Sequence, residues 1–328
     1  MCFQPIPRSR EKMQQYTIGT SNLRIAPLVF GGNVFGWTAD ERTSFSILDA
    51  FVDLGLNFVD TADSYSHWAE GNQGGESETI IGKWFRQSGK REKIVLATKV
   101  GMWKKRPGLS AANIEAAVNE SLRRLQTDYI DVYFSHIDDD KTPFEETLGA
   151  YQRLIEAGKV RVIGASNFSG ERLEATLKVS KESGLPAYQV LQPEYNLYDR
   201  KGYETDLEPV VQAHKLAVVT YFSLASGFLS GKYSSKADAA KGARSALVDK
   251  YFNERGLRIV DALVEVAKRN NTTSATVALA WIIARPSVTA PIASATSVEQ
   301  LEGLAAATRL QLSSEDMKLL DEASAPVQ

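Results

Sequence analysis

The feature that most constrains this 328-residue chain is a β-then-α alternation repeated eight times. Short apolar runs lie at Pro27–Gly31, Asn57–Asp60, Ile94–Thr98, Ile130–Ser135, Val160–Gly164, Tyr188–Leu191, Ala217–Tyr221 and Val288–Ile292. Longer stretches of helical period separate them. In Asn113–Gln126, for example, Ile114, Ala117, Val118, Ser121, Leu122 and Leu125 recur at the spacing of one buried helix face. Ser169–Lys181, Asp206–His214, Leu257–Asn270 and Ser297–Ala307 show similar patterning. Strands joined by helical crossovers run parallel, and eight such units close on themselves. The predicted fold is therefore α/β, a (β/α)8 TIM barrel, forming one domain over residues 15–328 after a flexible tail at 1–14. Gln15–Arg24 alternates around a Gly19–Asn22 turn and reads as a β-hairpin ahead of the barrel. An open doubly wound sheet would want GxGxxG after its first strand, and Gly31-Gly32-Asn33-Val34-Phe35-Gly36 does not supply it. Extra length falls at Asn196–Thr205 and Ser223–Lys250, after the sixth and seventh strands, on the face where barrels keep their sites.

Composition narrows the function. With 38 basic and 40 acidic residues, and no run of five like charges, the chain lacks the footprint of a nucleic-acid binder or a basic membrane-surface protein. Its longest apolar stretches, about eight residues, are too short to span a bilayer. Cys2 alone cannot form an intrachain disulfide, and His67, His136 and His214 leave little for a metal cluster, so no metal site is expected. The first residues have neither an apolar core nor a cleavage site of a targeting segment. These points suggest a cytoplasmic enzyme whose hard chemistry comes from a bound cofactor, with oligomeric state open.

The strand ends carry the candidate chemistry. The second run ends at Asp60, Tyr65 lies in the loop after it, the third run leads into Lys99, and the fourth ends at His136. Taken singly, Asp60 could cap a loop, Lys99 could sit in a surface ion pair and His136 could be a core histidine. Together they fit better as one set, because a lysine ending so apolar a strand needs a carboxylate, and Asp60 on the neighbouring strand supplies one. A nearby ammonium would draw the Tyr65 hydroxyl down from its ordinary acidity near 10, making it a general acid. His136 could donate to a substrate oxygen gaining negative charge. The set suits protonation of an alkoxide while another group delivers hydride.

Seven stretches in order then carry a resemblance: NFVDTADSY (57–65), ESETIIGKW (76–84), ATKVG (97–101), SLRRLQTDYIDVYFSH (121–136), GKVRVIGASNF (158–168), QPEYNLYDR (192–200) and YFSLASGFLSGKY (221–233). The chain resembles the aldo-keto reductase superfamily from about Tyr16 to Ala325, and within it the branch of bacterial general reductases and potassium-channel β subunits. The resemblance implies a catalytic tetrad of Asp60, Tyr65, Lys99 and His136, and reduction of an aldehyde or ketone by NADPH, with NADH as the lesser alternative. It implies that Ser166, Asn167 and Gln192 hold the nicotinamide carboxamide and that Tyr221 stacks on its ring. Phe222, Ser223, Leu224, Ser226, Gly227, Gly231 and Lys232 would line the pyrophosphate, where small residues let backbone N–H groups approach. Gly32, Asn33 and Asp60 complete that set on the first two strands. Ser294, Thr296 and Gln300 would serve the ribose 2′-phosphate end, with Arg244 in the long loop as a further contact. Gly303 and Leu304 depart from the usual Glu-Asn pair around adenine.

Substrate choice is expected from aromatic side chains past strand ends: Phe35 and Trp37, Tyr65 with His67 and Trp68, Trp103, and the imidazole of His136. Trp84 and Trp281 read as core. Residues 68–75 (WAEGNQGG) read as exposed and mobile. A short C-terminus after the last helix leaves the pocket open on one side, suited to bulky ring ketones. A cofactor-sensing regulatory subunit, resembling the channel β subunits, is the alternative function.

Overall fold

The computed structural model describes residues 13–233 and 245–326. Residues 1–12 of the expected tail, and Arg244, lie outside the described residues. A two-residue antiparallel pair comes first, β1 (Tyr16–Thr17) and β2 (Arg24–Ile25), with Tyr16 opposite Ile25. Eight strands follow: β3 (Val29–Gly31), β4 (Phe58–Asp60), β5 (Val95–Val100), β6 (Ile130–Ser135), β7 (Val160–Ser166), β8 (Val190–Gln192), β9 (Ala217–Thr220) and β10 (Ala290–Ala293). They pair in parallel in chain order, and β10 closes on β3 with Ile292 opposite Val29. The predicted barrel and hairpin are thus both present, with strand limits shifted by up to two residues.

Two apolar layers follow from the period of two along each strand. One set of alternate residues, including Val29, Phe58, Val95, Val132, Phe134, Val190 and Val219, fills the barrel interior. The hairpin's Ile18 and Ile25 join that cluster and plug the barrel at one mouth. Thr20 donates to Gln189 Oε1, and Ala26 to Asn57 Oδ1, just ahead of β8 and β4. The hairpin therefore sits at the amino ends of the strands, opposite the candidate site. The other set, including Phe30, Val59, Leu96, Tyr133 and Leu191, faces the surrounding helices.

Those helices start where side chains can satisfy their free N–H groups. Asp40 caps α1 (Glu41–Asp53) through Thr43, Ser110 caps α3 (Ala111–Leu125) through Asn113, and Ser169 caps α5 (Gly170–Ser183) through Arg172. Between them come α2 (Glu76–Ser88) and α4 (Phe144–Glu156). Gly82 of α2 meets α3 so closely that an added Cβ would lie 2.1 Å from the Arg124 carbonyl oxygen. After β8, a wide turn at Tyr203–Leu207 leads into α6 (Glu208–His214). The second half continues with α7 (Glu254–Arg269), α8 (Ser274–Ile283), α9 (Val298–Ala305) and α10 (Ser314–Ser324). Trp84 and Trp281 are buried, as their helical pattern predicts. No described helix is long and apolar enough to cross a membrane.

Candidate active site

Asp60 is the last residue of β4, Lys99 lies near the end of β5, and His136 follows β6 directly. Parallel register brings these carboxyl ends together. Lys99 Nζ donates to Asp60 Oδ2 at 2.6 Å, to the Thr61 carbonyl at 2.7 Å and to the Tyr65 hydroxyl oxygen at 2.9 Å. The Tyr65 hydroxyl in turn donates weakly to Asp60 Oδ2 at 3.4 Å. The Tyr65 and His136 rings stand edge to face at 6.0 Å. All four predicted groups therefore meet in one place. Lys99 has three acceptors around its three protons, which is what a fully buried ammonium requires.

One electrostatic expectation is corrected. Tyr65 is not made more acidic at rest: burial first, then the Asp60 carboxylate, hold its hydroxyl well above the usual phenol range. The Lys99 charge is already engaged by Asp60, so the ammonium does not act on the phenol alone. Burial also lowers Lys99. Tyr65 thus stands as a protonated phenol, the form a proton donor needs. His136 is pushed well below the usual imidazole range by burial and then by Lys99, so its ring is neutral. Its Nδ1 is buried without a hydrogen-bond partner.

A second network joins the expected carboxamide set to these four. Gln192 Nε2 donates to Asp60 Oδ1 at 2.9 Å, and Ser166 Oγ donates to the Gln192 carbonyl at 2.9 Å. Asn167 Nδ2 reaches the His136 carbonyl at 2.8 Å, while its Oδ1 accepts from the Tyr221 hydroxyl at 2.8 Å. On the other side, Ser294 Oγ lies 2.7 Å from both the Gly31 carbonyl and Asn33 Oδ1. A Cβ on Gly32 would come 3.0 Å from Ser77 Oγ and 3.1 Å from the Asp60 carbonyl oxygen, a tight approach. Gln300 Oε1 accepts from the amide and hydroxyl of Thr296, where α9 starts under a Ser297 cap.

The loop after β9 fits the anion cradle that the small residues suggest. Phe222, Ala225 and Ser226 adopt φ of 49°, 48° and 58°, and Gly227 and Gly231 adopt 97° and 71°. Left-handed backbone at three residues with side chains is costly, and such strain gathers at ligand sites. Ser223 Oγ bonds the Thr220 carbonyl, Asn196 holds the Phe222 carbonyl, Leu224 packs on the core, and Lys232 Nζ would be 3.3 Å from a Cβ on Gly227. Backbone donors, small residues and one lysine here match a diphosphate, and the Ser166, Asn167 and Gln192 set matches a carboxamide. The residues present therefore fit a nicotinamide dinucleotide. Leu304 is buried in the core and offers nothing to an adenine, and Gly303 faces open space.

The pocket assignments divide. Trp68, 42% exposed, contacts the Tyr65 ring at 6.0 Å and the Trp37 ring at 5.7 Å, making an aromatic wall, and His67 packs on it. Phe35 is corrected: it turns back from its loop, stacks on Phe30 at 5.1 Å and is fully buried in the outer core. Trp103 packs on Gly74, with Lys105 and Arg124 over its ring. Residues 68–75, expected to move, are tied down: Asn72 donates to the Gly36 and Ser66 carbonyls, and Glu76 accepts from the amides of Gln73 and Gly74. Sequence reading missed Met102 and Ile137, which are exposed two residues after β5 and directly after His136. An apolar residue next to a strand-end ionisable group was the available signal. A cavity of 790 Å³ shares Asn167 and Tyr221 with the site but none of the four central residues. No cluster of potential metal ligands occurs among the described residues.

The closed parallel barrel carries a buried lysine–carboxylate pair against a tyrosine hydroxyl. The chain belongs to the aldo/keto reductase family, which it matches over residues 27–325. It is 36% identical over 319 residues to the uncharacterized oxidoreductase YrpG of Bacillus subtilis, covering 94% of this chain and 95% of that one. It is 33% identical over 301 residues to a probable voltage-gated potassium channel subunit beta of Oryza sativa subsp. japonica (88% and 89% covered). It is also 32% identical over 295 residues to the aldo-keto reductase yakc [NADP(+)] of Schizosaccharomyces pombe (87% and 83% covered).

Proposed function

We propose that the protein reduces aldehydes or ketones to alcohols with NADPH, Tyr65 acting as the proton donor. The observation that carries this reading is the Tyr65 hydroxyl held 2.9 Å from the Lys99 ammonium, which Asp60 anchors. A bound reduced nicotinamide supplies a hydride to the carbonyl carbon. Gln192, Ser166 and Asn167 orient its carboxamide, Tyr221 offers a ring face, and the loop over 222–232 takes the diphosphate. Neutral His136 donates to the carbonyl oxygen and fixes it beside Tyr65. As that oxygen gains charge, the Tyr65 proton moves to it, and the Lys99 ammonium stabilises the phenolate left behind. Asp60 keeps Lys99 charged and in place.

The preference for NADPH draws support from the relative named for NADP(+), since the Ser294 and Thr296 hydroxyls already donate within the chain. Exposed Trp68 against the Tyr65 ring, with Met102 and Ile137 exposed in the loops after β5 and β6, suits a carbonyl compound with a bulky apolar body. A panel of aldehydes and ring ketones, followed by NADPH absorbance and repeated with NADH, tests the reading. Carbonyl-dependent oxidation of NADPH, faster than of NADH, is expected. Tight cofactor binding with no turnover on any carbonyl would favour a cofactor-sensing subunit instead, the reading that the channel-subunit relative raises.

A further inference from the structure

The ring of Phe222 is a feature of the site that neither its backbone nor its burial explains. Its φ of 49° is left-handed, a conformation that glycine adopts without steric cost, as Gly227 and Gly231 do in the same loop, and that disfavours a bulky side chain. The side chain is 42% exposed, so the core holds little of it. The turn of the chain here is fixed by other groups: Asn196 Nδ2 and the Ala225 amide donate to the Phe222 carbonyl at 3.1 and 2.6 Å. A glycine would serve this backbone, and the diphosphate cradle built on it, equally well.

What the ring does touch is Tyr221, with the two centroids 5.2 Å apart and the planes at 73°. Tyr221 is anchored at both ends, its amide donating to the Pro193 carbonyl at 2.9 Å and its hydroxyl to Asn167 Oδ1 at 2.8 Å. The hydroxyl oxygen lies on the axis from Cβ through the ring, so rotation about χ2, a soft torsion in tyrosine, turns the ring face and leaves that bond in place. The tilt of the ring is therefore set by what packs on its sides, which is the interior apolar cluster on the barrel side and Phe222 on the loop side.

We propose that Phe222 is a positioning residue for the cofactor: its ring fixes the tilt of Tyr221, and with it the angle at which the Tyr221 face meets a nicotinamide. The inference rests on the reading of Tyr221 as the ring that takes the nicotinamide.

Three variants of the full chain test this. Phe222→Gly and Phe222→Leu remove the aromatic edge, and Phe222→Tyr keeps it. All three should stay folded, read from melting of the cofactor-free protein, because the carbonyl of residue 222 keeps both of its donors. The near-ultraviolet circular dichroism of bound NADPH, which reports a nicotinamide held at a fixed angle to a ring, should shrink in the first two and persist in the third. The dissociation constant for NADPH should rise about threefold to tenfold in the first two, the range for one lost aromatic contact, and stay at the wild-type value in the third. Folded glycine and leucine variants with wild-type dichroism and affinity overturn the inference, as does a Phe222→Tyr protein that behaves like them. A wild type whose bound NADPH carries no such dichroism overturns it together with the stacking of Tyr221. Neither readout needs turnover, so the reductase reading fails separately, when no carbonyl is reduced.

Discussion

Gln192 Nε2 and Asp60 Oδ1 are 2.9 Å apart, so the side chain expected to face the cofactor also fills the second oxygen of the carboxylate that anchors Lys99. Gln192→Leu would leave that buried oxygen without a donor. Such a loss costs about 1–3 kcal/mol. The variant should melt at lower temperature than the wild type and gain less from added NADPH. Unchanged melting curves would mean that the bond contributes nothing to either role.

Tyr65→Phe removes one hydroxyl and keeps the ring that contacts Trp68 and His136. Cofactor binding, read by quenching of tryptophan fluorescence, should be nearly unchanged. The rate constant for carbonyl reduction should fall by about 10²–10⁴, the range for a lost general acid. Full activity in this variant would rule out Tyr65 as the donor.

Phe35 and Trp68 separate packing from recognition. Phe35→Ala opens a hole in the outer core and should cost about 3–5 kcal/mol in urea denaturation. Trp68→Ala, at a side chain 42% exposed, should change stability by less than about 1 kcal/mol and raise KM for bulky carbonyls. A reversal of these two patterns would return Phe35 to the pocket.

The ionisation of Asp63 makes stability depend on pH. Burial and then Glu78 raise its carboxyl to about 8 in the folded chain against 3.8 when free, so between those values the folded state binds the extra proton. Stability from this group is present at the acid end of that window and is lost as pH rises towards 8. Asp63→Asn should flatten the slope and be more stable than the wild type at the alkaline end. Urea midpoints for both proteins across the window check this.

The barrel was legible because apolar strand runs and amphipathic helices have different periods, and eight repeats leave little choice of closure. The tetrad was legible because Asp60, Lys99 and His136 interrupt or end runs that are otherwise apolar. Other features depend on which way a loop turns, and that is not written in spacing. Phe35 follows a strand as Trp37 does, yet one faces the core and the other the aromatic wall. Asp63 looks in the sequence like any polar loop residue, and only the packing of α2 and α3 around it shows that it is buried. The acidity of Tyr65 was read from Lys99 alone. It is set instead by burial and by how much of the lysine's charge Asp60 already holds.

The pairing of Ile292 with Val29 joins the last barrel strand to the first. On a ribosome, β3 emerges before the other barrel strands, and the edge that pairs with β10 stays bare until β10 has been made. An unpaired strand edge with apolar neighbours is a template for association with other chains. The barrel therefore completes late and as a whole, and its most exposed interval is the time between the first strand and the last. The hairpin that inserts Ile18 and Ile25 among the interior side chains precedes β3 in the chain, so it is available to cover the apolar amino ends of the early strands.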